Sequence, residues 1–184
     1  MEWRGFVGCA AERYEAESAK PHIERRTDVY VVLRDLNLNL KLRGGRDLEV
    51  KERSKRDAET GAETWSKTLG RASLSKGWTP ATLIEALEKE RAEVFQRCAR
   101  LLRDGEEGRD FWVVQIDKVR TKGMYFERAV CRITLGERVD YVESYCLEGK
   151  KPGQAGAEER ELLEGCSFHG GYNVFLDHWI KNLH

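Results

Sequence analysis

The chain has 184 residues, and its 32 lysines and arginines are balanced by 32 aspartates and glutamates, so the formal net charge is zero. Hydrophobic residues make up 40% of the sequence and charged residues 35%, which is typical of a folded core beneath a strongly ionic surface. The neutral balance disfavours a general nucleic-acid-binding protein, because such proteins usually carry a basic excess. The length predicts a single domain spanning residues 1–184.

Five cysteines are spread along the chain without a CxxC pair, a pattern typical of buried thiols in a reducing compartment. No apolar run approaches the length of a membrane span, and residues 1–16 lack the apolar segment of a signal peptide. The sequence therefore predicts a cytoplasmic protein with no membrane partner. It does not predict an oligomeric state.

Two strands and a short helix are expected before residue 34. Residues 2–8 alternate in polarity and predict a strand, one face of which is formed by Glu2, Arg4 and Phe6. Residues 9–20 fit a short helix that ends before a proline. The run RTDVYVVL at 26–33 is rich in β-branched and aromatic residues and predicts a second strand.

Residues 36–53 predict a β-hairpin, because two runs alternate with period two around a glycine-containing connection at 44–47. Leucines form one face of the first run, and Leu48 and Val50 continue this apolar face in the second. The opposite face carries four cations and one acid: Lys41, Arg43, Lys51, Arg53 and Glu49. The hairpin is therefore apolar on one side and basic on the other.

The rest of the chain predicts one long helix among further strands. A strand is expected at 64–69. A helix is then expected from Thr79, which can cap it, through an apolar stripe at helical spacing to Gly105, which ends it. The elements expected after it are strands at 111–120, 124–135 and 139–148 and a short helix at 158–165. Residues 170–184 fit either a strand with a helical turn or one amphipathic helix after Tyr172.

Strands thus precede and follow one long helix, and helices are few. We expect an α+β fold in which eight antiparallel strands form a closed or nearly closed β-barrel, a tunnel, with a few flanking helices. One face of every strand looks inward in such a barrel. If the basic faces line the tunnel, a phosphate chain would satisfy them through charge-assisted hydrogen bonds. If they face outward, they form an ordinary solvated surface.

The chain resembles the CYTH superfamily, the triphosphate tunnel metalloenzymes related to class IV adenylyl cyclases and thiamine triphosphatases. The resemblance lies in the order of short motifs over residues 2–148, which are Asp28-Val29-Tyr30, Leu40-Lys41-Leu42-Arg43, Leu48-Glu49-Val50-Lys51-Glu52-Arg53, Lys118-Val119-Arg120, Arg132 and Tyr141-Val142-Glu143. The first strand departs from the family pattern E-x-E-x-K. Glu2 is present, but Arg4 replaces the second acid and Phe6 replaces the lysine.

The resemblance implies a tunnel that binds a phosphorylated small molecule or polyphosphate through basic side chains and divalent cations. Together with the strand patterns, it gives the expected phosphate-binding residues Arg4, Lys41, Arg43, Lys51, Arg53, Lys118, Arg120, Arg128 and Arg132. The expected ligands for Mg²⁺ or Mn²⁺ are Glu2, Glu49 and Glu143. Three functions remain compatible with the sequence: metal-dependent hydrolysis of a phosphoanhydride, binding of such a ligand without turnover, and a protein-interaction domain.

Overall fold

The computed structural model describes residues 1–44, 47–59, 62–71, 78–149 and 156–183. Within these ranges, the chain forms nine strands and five helices. The strands are β1 (Glu2–Gly8), β2 (Glu24–Leu33), β3 (Leu38–Arg43), β4 (Asp47–Arg56), β5 (Glu63–Arg71), β6 (Phe111–Lys122), β7 (Phe126–Leu135), β8 (Arg138–Glu148) and β9 (Phe168–His169). The helices are α1 (Ala11–Ser18), α2 (Pro80–Lys89), α3 (Glu93–Asp104), α4 (Ala157–Glu164) and α5 (Tyr172–Lys181).

The first eight strands form a closed antiparallel β-barrel in the order β5-β4-β3-β2-β6-β7-β8-β1. The barrel closes where Glu2 of β1 pairs with Glu63 of β5. Beyond this point, the short strand β9 continues along the edge of β1, with Phe168 opposite Phe6. The predicted α+β class and the eight-stranded barrel are therefore confirmed.

The apolar face of the predicted hairpin lies outside the barrel. Leu38, Leu40 and Leu42 of β3 are buried together with Leu87 of α2 and Phe95 of α3. Burial of each such side chain stabilises the fold by about 1.5–3 kcal/mol. Because side chains alternate along a strand, this outward packing directs the charged residues of the same strands into the barrel.

The long helix predicted from Thr79 to Gly105 is two helices, and that prediction is wrong at its centre. The backbone is extended at Glu90 (ψ 135°) and at Ala92 (ψ 133°). Residues 88–93 contain no large apolar side chain to hold a continuous helix against the barrel. The Gln96 side chain instead donates to the backbone carbonyls of Glu88 (3.0 Å) and Glu90 (2.6 Å).

Two other expectations are changed or settled by the structure. The predicted loop at 54–63 is shorter, because β4 continues to Arg56 past a register irregularity between Arg53 and Lys55. The C-terminal segment is the amphipathic-helix alternative, α5. The connection predicted at 44–47 includes residues 45–46, which lie outside the described residues.

Helix α5 closes one end of the barrel. Phe175, Leu176 and Ile180 are buried against inward-facing residues such as Phe6 and Val32. The Asn173 side chain donates to Leu36 O (2.6 Å) and Leu38 O (3.1 Å), which ties the helix to the segment before β3. The lumen is therefore a pocket with one closed end.

Candidate anion-binding cavity

The remaining part of the lumen is a cavity of about 340 Å³. Side chains from all eight barrel strands line it, and Tyr172 of α5 also contributes. The hairpin cations Lys41, Arg43 and Lys51 point into this cavity. The orientation on which the sequence-based hypothesis depended is thus the inward one.

The cavity is strongly basic. Four glutamates line it: Glu2, Glu49, Glu127 and Glu148. Nine basic side chains line it: Arg4, Arg26, Lys41, Arg43, Lys51, Lys67, Lys118, Arg120 and Lys122. The lining side chains therefore carry a net charge of +5 in a chain that is neutral overall.

The cations are distributed from the mouth of the cavity to its floor. Lys67 lies near the mouth with 41% of its side chain exposed, Lys51 lies deeper with 21%, and Lys118 lies at the floor with 2%. This graded exposure matches a linear polyanion better than a single compact charge, because successive anionic groups would meet successive cations.

Glu49 of β4 forms ion pairs with three cations of the cavity wall. Its Oε1 lies 2.6 Å from Lys41 Nζ, and its Oε2 lies 2.9 Å from Lys67 Nζ and 3.9 Å from Arg43 Nη1. Burial raises the pKa of Glu49, but the charges and hydrogen bonds of Lys41 and Lys67 outweigh this effect and lower the pKa to about 2. Glu49 is therefore ionised and holds three cations at the wall.

Glu2 and Arg4 form a second network on β1. Glu2 Oε1 lies 3.0 Å from Arg4 Nε, and Glu2 Oε2 lies 3.0 Å from Lys51 Nζ across the barrel closure. Burial raises the pKa of Glu2, yet the charges of Arg4 and Lys51 hold it well below its usual range. The Arg4 guanidinium also donates to Ser144 Oγ (2.9 Å) and lies 4.8 Å from the centroid of the Tyr172 ring.

Glu127 of β7 joins this network to the opposite wall. Its Oε1 lies 3.4 Å from Arg4 Nη1, and its Oε2 lies 2.8 Å from Arg120 Nη1. Arg120 also contacts Glu24 at the mouth, at 2.7 Å. Burial raises the pKa of Glu127, and the charges of Arg4 and Arg120 lower it further than burial raises it.

Lys118 lies at the floor of the cavity. Its Nζ is 2.8 Å from Tyr30 OH, 3.2 Å from Asp28 Oδ2 and 3.6 Å from the centroid of the Tyr172 ring. Burial lowers the pKa of Lys118 to about 7, with Lys41 acting in the same direction and Asp28 opposing it. A cation at this floor is therefore close to its titration point at neutral pH.

The structure brings six of the nine expected phosphate-binding residues together in the cavity: Arg4, Lys41, Arg43, Lys51, Lys118 and Arg120. Arg53 lies beyond them, where it pairs with Glu63 (2.6 Å) and contacts Asn37. Arg128 and Arg132 point to the outer surface of β7, so they do not line the cavity. Arg128 pairs with Glu143 (3.0 Å), and Arg13 of α1 contacts the same carboxylate (2.9 Å).

The outward orientation of Arg128, Arg132 and Glu143 has a simple physical reason. The opposite faces of β7 and β8 carry small or apolar side chains, including Ala129 and Cys131, which pack inside the barrel. Because side chains alternate along a strand, the charged side chains of Arg128, Arg132 and Glu143 then face outward, toward α1. Of the three expected metal ligands, Glu2 and Glu49 line the cavity and Glu143 does not.

Sequence reasoning missed several lining residues that alternation could have found. Arg26 lies two residues before Asp28 and four before Tyr30, on the same face of β2, and lines the cavity. Lys67 follows Trp65 by two residues on β5, and both line it. Arg26 and Lys67 both lie within strands predicted from the sequence, at 26–33 and 64–69, so following the inward row of each strand would have included them.

Three of the four glutamates that line the cavity fit Mg²⁺ or Mn²⁺ poorly. Both oxygens of Glu2, Glu49 and Glu127 already contact a lysine or arginine. The donor atoms of Glu2, Cys146 and Glu148 lie within 4.8 Å of one another. Burial, however, raises the pKa of Cys146 well above its usual value, and a protonated thiol is a poor ligand for these oxygen-preferring ions.

Comparisons with known proteins support the fold. No family model and no curated protein matches the chain. The structure is similar to that of HpAC1 from Hippeastrum, a candidate adenylyl cyclase described as having a dominant triphosphatase activity, with a TM-score of 0.51, 14% identity, and coverage of 90% of this chain and 85% of that chain.

Two further solved structures have lower scores. A candidate adenylate cyclase from Bacillus halodurans has a TM-score of 0.47 and 9% identity over 88% of this chain and 84% of that chain. A Pyrococcus horikoshii protein has a TM-score of 0.47 and 14% identity over 97% and 99%. The chain has a divergent CYTH-type tunnel fold. No helix among the described residues is both long and apolar enough to cross a membrane.

Proposed function

We propose that this protein binds a linear triphosphate-containing anion in the cavity and does not hydrolyse it. One observation carries the proposal: nine basic and four acidic side chains line a pocket of about 340 Å³ with one closed end. The excess of positive charge among these paired side chains favours the entry of an anion, because partly buried charges are poorly screened. A triphosphate carries several charged groups in a row, and the cations of the cavity are likewise arranged in succession from its mouth to its floor.

The cavity also retains hydrogen-bond donors. Arg26 Nη1 and Arg120 Nε are buried and have no hydrogen-bond partner among the described residues. A buried donor without a partner costs roughly 1–3 kcal/mol. Small rotations of these guanidinium groups toward a phosphate oxygen would recover that energy, and arginine suits phosphate because its donors form a planar fork.

The aromatic rings of the cavity favour recognition of the phosphate chain over a base. Lys118 Nζ and the Arg4 guanidinium already lie against the Tyr172 ring. Lys118 and Lys41 lie near the Tyr30 ring at 4.8 and 5.7 Å, and Arg53 lies 5.7 Å from the Trp65 ring. With these rings covered by cations, a nucleoside attached to the triphosphate would extend through the mouth.

The likeness to HpAC1, whose description includes triphosphatase activity, supports a triphosphate as the ligand class. Hydrolysis assisted by Mg²⁺ or Mn²⁺ needs carboxylates that are available to hold the ion. Glu2, Glu49 and Glu127 of the cavity instead hold lysine and arginine. Binding without turnover is therefore the function that the geometry supports best.

Isothermal titration calorimetry with tripolyphosphate, pyrophosphate and phosphate tests this proposal. We expect affinity to fall in that order, because shorter anions meet fewer of the cations. The variant Lys51→Ala should weaken tripolyphosphate binding, whereas the matched outer-face control Arg132→Ala should not. A ligand that binds only the folded state also raises thermal stability, by about 2.7 kcal/mol at 100 times its Kd.

A phosphate-release assay with Mg²⁺ and Mn²⁺ tests the absence of turnover. We expect no release from tripolyphosphate, ATP or thiamine triphosphate by protein that binds tripolyphosphate in calorimetry. Release that is lost on mutation of Glu2 would show that the protein is a hydrolase. Absence of tripolyphosphate binding by folded protein would refute the proposal as a whole.

A further inference from the structure

Arg4 occupies the centre of the acidic groups of the cavity. Its Nε lies 3.0 Å from Glu2 Oε1, and its Nη1 lies 3.4 Å from Glu127 Oε1 and 2.9 Å from Ser144 Oγ. Only 6% of the Arg4 side chain is exposed. A guanidinium therefore lies between the carboxylates of Glu2 and Glu127 and keeps a divalent cation from bridging them.

Lys51 completes the enclosure of Glu2 from the other side. Its Nζ lies 3.0 Å from Glu2 Oε2, so that each oxygen of Glu2 faces a different cation. A divalent ion could bind Glu2 only by displacing Arg4 or Lys51, and the displaced charge would remain in a buried, basic interior. This exchange is unfavourable because the cavity already carries an excess of positive charge.

We propose that Arg4 and Lys51 take the place of a divalent cation, so that the triphosphate anion is bound directly by side chains and its binding requires no metal ion. This inference rests on the proposed function. Both residues have donors left for a ligand. Arg4 makes its polar contacts through Nε and Nη1, and Lys51 Nζ donates to Glu2 Oε2. Nη2 of Arg4 has no hydrogen-bond partner among the described residues.

The first experiment compares tripolyphosphate binding to the wild-type protein by calorimetry in EDTA and in excess Mn²⁺. We expect full binding in EDTA. Binding in Mn²⁺ should be equal or weaker, because free Mn²⁺ neutralises part of the ligand. Binding that occurs only with Mn²⁺ would overturn the inference and leave the proposed function standing. Binding under neither condition would overturn both.

The second experiment changes the charge at position 4. In Arg4→Glu, the introduced carboxylate lies beside Glu2 and Glu127. Both glutamates lose the ion pair that Arg4 provides in the wild type. We expect the tripolyphosphate affinity of this variant in EDTA to fall by roughly 100-fold or more, since the introduced carboxylate repels the anion. In Mn²⁺ the affinity should recover by at least about tenfold, because the ion can bind the carboxylates. The matched control Arg4→Gln should lose affinity without recovery.

Electron paramagnetic resonance of Mn²⁺ gives a readout that does not depend on the anion. Wild-type protein and Arg4→Gln should leave Mn²⁺ free, whereas Arg4→Glu should bind it. Tight binding of Mn²⁺ by the wild-type cavity, abolished in Glu2→Gln, would overturn the inference. If Arg4→Glu does not fold, the wild-type comparison in EDTA and Mn²⁺ and the Mn²⁺ titrations of wild type and Arg4→Gln still decide it.

Discussion

The two halves of the barrel interior are opposites, although β1, β2, β6, β7 and β8 contribute to both. On β6, Lys118 and Arg120 line the open half, and Val114 and Ile116 are buried in the closed half. On β1, Arg4 lies in the open half and Phe6 in the closed half. The inward rows of β1 and β6 thus change from charged to apolar along their length.

This comparison separates stability from binding. The closed half packs aromatic and aliphatic side chains against α5, which stabilises the barrel through apolar burial. The open half buries charges whose mutual pairing at best offsets the loss of their hydration. The boundary is the layer where Lys118 lies between Tyr30 and Tyr172. We therefore expect changes in the closed half to lower stability and changes in the open half to lower affinity.

The largest expected effect follows from a change in the closed half. Phe6 is fully buried, and its ring stacks on Phe175 with centroids 4.1 Å apart and contacts Tyr172 edge-on at 5.0 Å. We expect Phe6→Ala to lower the free energy of unfolding by about 3–5 kcal/mol, because it removes this packing and leaves a cavity. Chemical denaturation measures the change.

The matched control is Met124→Ala, at a residue that is 84% exposed. It should change the free energy of unfolding by no more than about 0.5 kcal/mol. Tripolyphosphate affinity of the folded Phe6→Ala protein should stay close to that of the wild type. A normal stability for this variant, or a selective loss of affinity, would contradict the division between the two halves.

The second prediction concerns the open half. Lys41→Met keeps most of the side-chain volume and removes a buried cation that pairs with Glu49. We expect tripolyphosphate affinity to fall about 10–100-fold, since a charge-assisted hydrogen bond contributes roughly 1.5–3 kcal/mol. Stability should change little, because Lys67 continues to neutralise Glu49 at 2.9 Å. Calorimetry and chemical denaturation measure the two quantities.

Arg132→Met is the control for Lys41→Met, because Arg132 is exposed on the outer face of β7. It should preserve both affinity and stability. If Lys41→Met and Arg132→Met weaken binding equally, the anion binds to the surface charge of the protein and not in the cavity.

Alternation along the strands was sufficient to predict that the hairpin has one leucine face and one charged face. In β3 and β4 the two faces differ sharply, so the leucine face could belong only to a core and the charged face only to the lumen or to solvent. The sequence could not decide between these two. That choice depends on α2 and α3, whose buried stripes cover the leucines from outside.

Alternation predicted the inward face of β6, where Lys118 and Arg120 line the cavity, but it did not predict the orientation of β7, whose two faces differ less. On β7, one face carries Arg128, Val130 and Arg132, and the other carries Ala129 and Cys131. Small side chains fit a crowded lumen near α5, whereas arginines reach α1 and solvent. Ala129 and Cys131 are small enough to pack inside the barrel near α5, and Glu127 on the same face lines the cavity. The strand pattern and the resemblance together had placed Arg128 and Arg132 on the inward face.

The third prediction is a pH dependence that arises at the boundary layer. Lys118 has a pKa of about 7 in the absence of ligand, because burial and the nearby Lys41 disfavour its charge more than Asp28 favours it. A bound polyanion favours the charged form and raises this pKa. Binding therefore takes up a proton above about pH 7, and affinity should fall as pH rises, by at most about tenfold per unit.

Calorimetry in buffers of different ionisation enthalpy measures this proton uptake. Lys118→Met should bind more weakly and should lose the uptake that the wild type shows above pH 7. The control Lys122→Met removes a cation at the mouth of the cavity. It should keep the proton uptake of the wild type. Because tripolyphosphate titrates in this range too, the difference between the two variants is the informative quantity. Equal uptake by both would show that Lys118 is not the titrating group.

The smallest expected effect is at the mouth itself. The Lys122 side chain is 53% exposed and lies 3.8 Å from Glu148, so solvent and salt screen its charge. We expect Lys122→Met to weaken tripolyphosphate binding by less than about threefold at physiological ionic strength, corresponding to the roughly 0.5 kcal/mol of an exposed ion pair. Lowering the salt concentration should enlarge this effect, while the loss caused by Lys41→Met should change less. A loss at Lys122 as large as that at Lys41 would mean that the anion stops at the mouth, and that the deep cations stabilise the closed half without contacting ligand.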